Sequence, residues 1–150
     1  MQKWVLNVKY IHDCEITKKL LPEEPYEYLS ENILATCCRR WRISQVKPFE
    51  MMKIIILGHT TPPVDTLVRI IQAGKGVAVS FLTVESLLND VQRLNFVDFI
   101  VCGDNTNVAQ LKSEKNISNA LFGRVFFVRA LFILDMITVY PLPNITEYLC

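Results

Sequence analysis

The chain has 150 residues, 51% of them hydrophobic, and its 16 Lys and Arg side chains nearly balance 15 Asp and Glu. A chain of this length and composition can bury one ordinary core, so we expect a single globular domain and not a disordered tail. The net charge of +1 gives no overall field that would attract nucleic acid or an anionic membrane surface, so any such contact would depend on a local patch.

The cysteine pattern argues against a disulfide framework and against a metal site. Five cysteines, an odd number without a CxxC motif, predict neither a disulfide framework nor a zinc site. We therefore expect a reducing compartment and no cofactor. No apolar run reaches the roughly 18 residues that a membrane-spanning helix needs, so we expect no membrane contact.

The first predicted element is an amphipathic helix that contains KYIHDC, residues 9–14, and its pattern returns at the other end of the chain. Residues 125–150 repeat the pattern of residues 3–28 without a gap, at an offset of 122. Each copy has an apolar stretch, a helix in which an aromatic residue precedes Asp by three positions, a break, and a closing Tyr. Matched pairs include Tyr10 with Phe132, Ile11 with Ile133, Asp13 with Asp135, and Tyr26 with Tyr148. The repeat indicates that the chain holds the end of one unit and nearly all of the next.

Residues 30–50 are predicted to form a linker that carries the one dense basic cluster of the sequence. The cluster consists of Arg39, Arg40, Trp41 and Arg42. It could contact phosphate or a nucleic-acid backbone, with Trp41 stacking on a base. We favour a linker role, because an isolated cluster in a neutral protein gives little affinity for nucleic acid. In that role the arginines pair with Glu23, Glu24 and Glu31 while Trp41 docks on the domain.

From residue 52 onward, strand and helix patterns alternate. MKIIIL, residues 52–57, is a continuous apolar run that predicts a strand buried on both faces, as in a parallel sheet. A helix is predicted over Val64–Ala73, behind two prolines and before Gly74. Later strands are predicted at residues 77–81, 96–102 and 125–128, with helices at 108–113 and 129–138 and a helix or a long, partly helical loop at 83–95. This order predicts an α/β fold with a four-stranded, mostly parallel sheet flanked by helices.

That order, with Gly74 and Gly76 after the first helix and an aromatic-to-Asp final helix, resembles the BRCT repeat, a phosphopeptide-binding and scaffolding module of DNA-damage proteins. Residues 1–29 resemble the last strand and helix of one repeat, 30–50 an inter-repeat linker, and 51–150 a second repeat. Tyr10 and Phe132 stand where the family usually carries Trp, whereas Asp13 and Asp135 fit its pattern.

Within the family, LLPEEPYEYL, CRRW and DTLVRIIQAGKG most resemble the tandem BRCT regions of ankyrin-repeat factors that act with the SMC five/six complex. The resemblance implies a nuclear, non-enzymatic repair scaffold whose partners are phosphorylated repair proteins, SMC-complex factors or ubiquitin-ligase factors. It also implies that Tyr10, Leu29, Arg39, Arg40 and Trp41 make inter-repeat or linker contacts.

A phosphate site in this family needs a hydroxyl, a backbone N–H and a Lys or Arg that converge on one point. The second repeat offers Gly58 and Thr60 after its first strand, and Lys112 or Lys115 near its second helix. A solvated Lys is the competing interpretation and the one we favour. The Arg that many phosphopeptide-reading pairs carry after the closing aromatic is absent, since Tyr26 is followed by EYL.

Two other interpretations remain open. A small flavodoxin-like nucleotide-binding protein or enzyme would hold its ligand at the carboxyl ends of the strands, near residues 58–61 and 102–105. GHTTPP and GKG match neither a Walker motif nor a dinucleotide-binding fingerprint, which argues against a nucleotide-binding protein.

The other interpretation is a truncated product without independent activity, which would expose Val5, Val8 and Ile11 on a helix without a packing partner.

Overall fold

The computed structural model describes residues 4–28, 33–90, 97–113 and 125–150. Its centre is a four-stranded sheet with all strands parallel, in the order β2-β1-β3-β4. The strands are β1 (Lys53–Leu57), β2 (Val77–Phe81), β3 (Phe99–Cys102) and β4 (Phe126–Arg129). The predicted α/β class and the four-stranded parallel sheet are confirmed.

Six α-helices lie within the described residues. They are α1 (Lys9–Thr17), α2 (Ile33–Ile43), α3 (Val64–Ala73), α4 (Val84–Leu88), α5 (Val108–Ser113) and α6 (Ala130–Thr138), with 3-10 turns at Glu24–Tyr26 and Ile145–Tyr148. Thr83 caps α4, because its side chain accepts a hydrogen bond from the Ser86 N–H. Of the helix predicted over residues 83–95, the structure describes only the part up to residue 90. None of the helices in these ranges is long and apolar enough to cross a membrane.

Strand β1 is buried on both faces, as its sequence predicts. Ile54 and Ile56 pack into the core that lies under α3 and α6, while Ile55 and Leu57 pack into a second core on the opposite face. Successive side chains of a strand point to opposite faces, so one uninterrupted apolar run supplies both cores.

The two glycines after α3 make room for Phe49, which is fully buried. A Cβ on Gly74 would lie 2.5 Å from the Phe49 ring, and one on Gly76 would lie 2.7 Å from the Phe49 Cβ. The Phe49 N–H also donates to the Gly74 carbonyl at 3.0 Å. Both glycines therefore allow the turn after α3 to approach closely the segment that leads into β1.

The repeat seen in the sequence has the same hydrogen bonds in both copies. The Tyr26 hydroxyl donates to Asp13 Oδ2 at 2.9 Å, and the Tyr148 hydroxyl donates to Asp135 Oδ2 at 2.7 Å. In each copy the closing tyrosine also packs on the helix aromatic, with ring centroids 5.4 Å apart, in the pairs Tyr10–Tyr26 and Phe132–Tyr148. The two aspartates therefore anchor local structure in equivalent ways.

The backbone of the closing segment is equivalent as well. Isolated antiparallel bridges join Leu6 to Glu27 and Val128 to Leu149. In the amino-terminal copy this bridge replaces the predicted strand, whereas the carboxyl-terminal copy has β4. The difference has a physical cause: β4 pairs laterally with β3, and residues 4–8 have no lateral partner among the described residues.

Candidate functional site

Helix α2, which lies inside the predicted linker, joins the amino-terminal copy to the α/β domain. Its Arg40 guanidinium donates to the carbonyl oxygens of Val139 at 2.8 Å and Ile137 at 2.9 Å. The Trp41 indole N–H donates to the same Ile137 oxygen at 2.9 Å. These carbonyls lie at the carboxyl end of α6, where unpaired acceptors and the negative end of the helix dipole favour a cation. Trp41 thus docks on the carboxyl end of α6, and its role as a contact between two repeats stays a prediction.

Two other arginines of α2 hold the amino-terminal copy through Glu27. Arg42 Nη2 lies 2.6 Å from Glu27 Oε1, and Arg39 Nε lies 3.4 Å from Oε2. The side chains of Arg42 and Glu27 are only 10% and 7% exposed, while that of Arg39 is 51% exposed. The Arg42 guanidinium also stacks on the Trp4 ring, 3.5 Å from its centroid. The buried Arg42–Glu27 pair is therefore the main polar contact between α2 and this copy.

The acidic partner of the arginines differs from the prediction. Glu23 and Glu24 are exposed, and Glu31 lies outside the described residues. Arg39 and Arg42 bind Glu27, the residue that directly follows the 3-10 turn, and not Glu23 or Glu24. Tyr10 contacts its own copy, where its hydroxyl donates to the Leu21 carbonyl at 3.2 Å. Leu29 lies outside the described residues.

Three of the four residues predicted to form a phosphate site lie within the described residues, and each of the three is held by a different neighbour. The Gly58 N–H, at a φ of 80°, donates to the Phe81 carbonyl at 2.8 Å. Thr60 is buried, and its hydroxyl donates to the Pro62 carbonyl at 2.7 Å. Lys112 Nζ donates to the Cys150 carbonyl at 3.1 Å and lies 5.4 Å from the centroid of the Phe127 ring. Lys115 lies outside the described residues, so the phosphate site as a whole stays a prediction.

A cavity of about 420 Å³ opens at the carboxyl ends of β1, β3 and β4. This is the place where a flavodoxin-like protein would hold its ligand. The loop amides beside it are used within the protein: those of Gly103, Asp104 and Thr106 donate to Leu57, His59 and Gly103 respectively, at 2.7 to 3.0 Å. They are therefore not directed at a ligand as a phosphate-cradling loop would require. The lining residues are Thr61, Cys102, Gly103, Asp104, Thr106, Val108, Arg129, Ala130, Leu131 and Cys150.

Two thiols line this cavity, and one of them is strongly perturbed. Burial raises the pKa of Cys102 to about 12, and the neighbouring Cys150 thiol adds to the effect. A thiol with so high a pKa stays protonated near neutral pH, so Cys102 is a poor nucleophile. Within the described ranges, no three His, Cys, Asp or Glu side chains come together in a way that could hold a metal ion.

Three features of the α2 contacts and the cavity loop were missed by sequence reasoning. The carbonyls of Ile137 and Val139 carry no side-chain signal, so nothing in the sequence marks them as acceptors. Glu27 is one of several acids in its segment, and only the packing of the turn selects it. Gly103 approaches the β1 loop so closely that a Cβ would lie 2.4 Å from the His59 oxygen. A glycine that directly follows an apolar run is the signal that could have indicated this contact.

Comparison with known proteins points to one type of domain. No protein-family profile matches the sequence. A BRCT domain-containing protein of Arabidopsis thaliana is 32% identical over an alignment of 88 residues, and this alignment covers 51% of this chain and 7% of that protein. The chain thus spans a small fraction of its relative's length. The solution structure of the BRCT domain of human DNA repair protein REV1 is 15% identical, with a TM-score of 0.46, and the match covers 71% of this chain and 90% of that domain. About half of this chain is thus similar in sequence to a BRCT domain-containing protein.

Proposed function

We propose that this chain is a non-enzymatic, nuclear protein-interaction module of the BRCT type, which helps a DNA-repair scaffold bind a phosphorylated partner protein. The observation that carries the proposal is the 32% identity to a BRCT domain-containing protein over 88 residues. A four-stranded parallel sheet flanked by helices supports it. In this proposal residues 1–29 end a first repeat, 30–50 link the repeats, and 51–150 form the second repeat.

The contacts of α2 support a role that depends on both copies. Arg40 and Trp41 bind the carboxyl end of α6, while Arg42 binds Glu27 of the amino-terminal copy. One helix thus fixes the two copies in a single orientation. We infer that this half of the protein supplies the inter-repeat face and the contacts that flank a bound phosphopeptide. SMC-complex or ubiquitin-ligase repair factors are the proposed partners.

A phosphate group at the second repeat would have to displace existing contacts. Thr60 would give up its hydrogen bond to Pro62, and Lys112 would give up its bond to Cys150. For Thr60, a charge-assisted hydrogen bond to phosphate is about twice as strong as the neutral one that it would replace. For the Lys112 ammonium group, a phosphate anion would replace a neutral carbonyl acceptor, so both exchanges are energetically feasible. We propose Gly58, Thr60, Lys112 and Lys115 as the residues to test for it.

The test is binding of this chain, and of the same protein extended amino-terminally by a full repeat, to a phosphopeptide library with matched unphosphorylated peptides. We expect the extended form to prefer phosphorylated peptides. Thr60→Ala and Lys112→Ala report whether the second repeat contributes, and Lys19→Ala, which alters another exposed lysine, is the matched control. If neither form distinguishes phosphorylated from unphosphorylated peptides, phosphopeptide recognition is wrong.

The cavity at the strand ends favours a second candidate, a small nucleotide-binding protein or enzyme. Its volume of about 420 Å³ falls in the range of small-molecule sites. Thermal denaturation with and without mononucleotides and dinucleotides distinguishes the two candidates. A rise in Tm with nucleotide, and none with phosphopeptide, would favour the nucleotide-binding protein.

A further inference from the structure

Strand β2 forms one edge of the sheet, and no strand lies beyond it among the described residues. The opposite edge, at β4, is different, because the closing segment bridges Val128 to Leu149. The helices near β2 lie over the two faces of the sheet, since Leu67 of α3 packs into one core and Leu87 of α4 packs into the other. The faces are thus covered, and the edge of β2 is open within the described ranges.

Every second residue of β2 directs its backbone groups away from β1. The Val77 N–H donates to the Met52 carbonyl at 2.9 Å, and the Phe81 carbonyl accepts from the Gly58 N–H at 2.8 Å. The N–H and C=O of one residue in a strand point to the same side, and successive residues alternate. The odd-numbered residues of β2 therefore bond to β1, and the even-numbered residues point outward. These outward residues are Ala78 and Ser80.

Strand β2 also lacks the features that keep an edge strand unpaired. Its sequence, VAVSF, contains no charged residue and no proline. Val77 is 53% exposed and Val79 is partly exposed. Both lie on the same face as Phe81, because the side chains of a strand alternate. An open row of backbone donors and acceptors beside apolar side chains is a template for a further strand.

We propose that β2 is a docking edge for a second copy of this chain, in which residues 77–81 pair in antiparallel orientation with the same residues of that copy. A twofold axis passes between the two Val79 residues, so Ala78 of each copy lies opposite Ser80 of the other. Each such pair exchanges both N–H···O=C bonds, so every outward group of the strand is satisfied. The two sheets then form one continuous sheet in a closed pair. This inference goes beyond the proposed function and does not depend on it.

The strand is complementary to itself in this arrangement, which is the reason for choosing a second copy. Residues directly opposite one another share a face, so the half-exposed Val77 of one copy lies against Phe81 of the other, and the two Val79 side chains meet at the axis. The charges at the two ends of the strand are opposite, because the exposed Lys75 precedes it and the exposed Glu85 follows it in the first turn of α4. Antiparallel pairing brings the basic end of each strand to the acidic end of its partner, whereas parallel pairing would align like charges.

The first measurement is the mass of the 150-residue chain in solution as a function of its concentration, by sedimentation equilibrium. Pairing of two short edge strands buries little surface, so the contact is weak and high concentrations are needed. We expect the mass to rise from 17.3 kDa towards twice that value as the concentration increases to about 1 mM, where a pair with a Kd of about 1 mM is half formed. A mass that stays at 17.3 kDa over this range would overturn the proposal.

Amide hydrogen exchange locates the contact. Pairing protects the amides of Ala78 and Ser80, whereas the odd-numbered amides of β2 already bond to β1. We therefore expect the amides of Ala78 and Ser80 to exchange at least about 2-fold more slowly at about 1 mM than at about 10 μM, with no comparable change at the odd-numbered positions. Protection that rises with concentration in α1, and not at Ala78 and Ser80, would assign the association to another surface and overturn the proposal.

Two substitutions at the twofold axis make the test specific. In Val79→Lys and in Val79→Glu, each copy would meet its own charge directly across the axis, so each variant alone should remain at 17.3 kDa. An equimolar mixture should pair again, because the two substituted side chains then carry opposite charges. Val46→Lys is the matched control: Val46 is 64% exposed and lies outside the sheet, so this variant should associate like the parent chain. Association of each Val79 variant alone, or a folded mixture that does not pair, would overturn the proposal.

Ser80→Pro tests the backbone contact independently of charge. Proline removes the outward N–H of this residue and none of the bonds to β1, and edge strands tolerate proline at such a position. We expect the variant to fold, to keep the odd-numbered amides of β2 protected, and to lose the rise in mass with concentration. A folded Ser80→Pro variant that associates like the parent chain would overturn the proposal.

Discussion

Replacing Glu27 by Gln removes the negative charge that compensates Arg42 and leaves the shape of the side chain unchanged. Both side chains are at least nine-tenths buried, so Arg42 would keep its charge in a site shielded from water. Breaking a buried ion pair by removing one partner typically costs about 3 to 5 kcal/mol. We expect about 3 kcal/mol here, because stacking on Trp4 continues to stabilise the guanidinium. The second pair, to the half-exposed Arg39, adds less than about 1 kcal/mol.

The assay is urea denaturation followed by hydrogen exchange of the amides around Val5 and Tyr28. Loss of the Glu27 charge should destabilise the amino-terminal copy first, because α2 holds it chiefly through this pair. Glu23→Gln is the matched control, since Glu23 is exposed and belongs to neither of the Glu27 ion pairs. If Glu27→Gln and Glu23→Gln both change the free energy of unfolding by less than about 0.5 kcal/mol, the pair does not hold the copies together.

Three further predictions concern the α/β domain. Arg40→Ala should lower the free energy of unfolding by about 1.5 to 3 kcal/mol, because the substitution removes a cation at the carboxyl end of α6 and its two hydrogen bonds. Urea denaturation measures this change, and an unchanged midpoint would contradict the prediction. Gly76→Ala should lower Tm by several degrees, because the new Cβ would lie 2.7 Å from the Cβ of Phe49. Calorimetry measures Tm, and an equal or higher Tm would contradict the prediction. The hydrogen bond to Asp135 raises the pKa of Tyr148 to about 12. A raised folded-state pKa means that this bond stabilises the protein fully below about pH 10 and is lost as pH rises from about 10 to about 12. The stability difference between the parent chain and Tyr148→Phe should therefore shrink over that interval, and a difference that grows with pH would contradict the assignment.

Local patterns predicted the framework of the α/β domain. The run over residues 52–57 required a strand buried on both faces, and Ile54 to Leu57 are all buried. The helix Val64–Ala73 has the predicted bounds, because two prolines before it and a glycine after it act on the backbone locally. The repeat found in the sequence has a counterpart in the structure, since Asp13 and Asp135 each accept a hydrogen bond from the closing tyrosine of their own copy.

The contacts between the copies could not be predicted in the same way. The basic cluster was visible in the sequence, but the residues that it binds were not predicted. Two of its acceptors are backbone carbonyls at the end of α6, which any sequence would supply. The third, Glu27, cannot be distinguished from Glu23 and Glu24 in the sequence, and only the folded structure shows that it binds Arg39 and Arg42.

The sequence by itself determined the strand and helix order, the parallel sheet and the internal repeat, because each depends on periodicity or on spacing along the chain. Only the tertiary structure decided that α2 joins the two copies, that Glu27 is the buried acid, and that Val8 and Ile11 are exposed while Ala130 and Ile133 are covered. The physical reason is that burial and partner choice are properties of packed surfaces. Two segments with the same local pattern acquire different environments when only one of them has a sheet beside it.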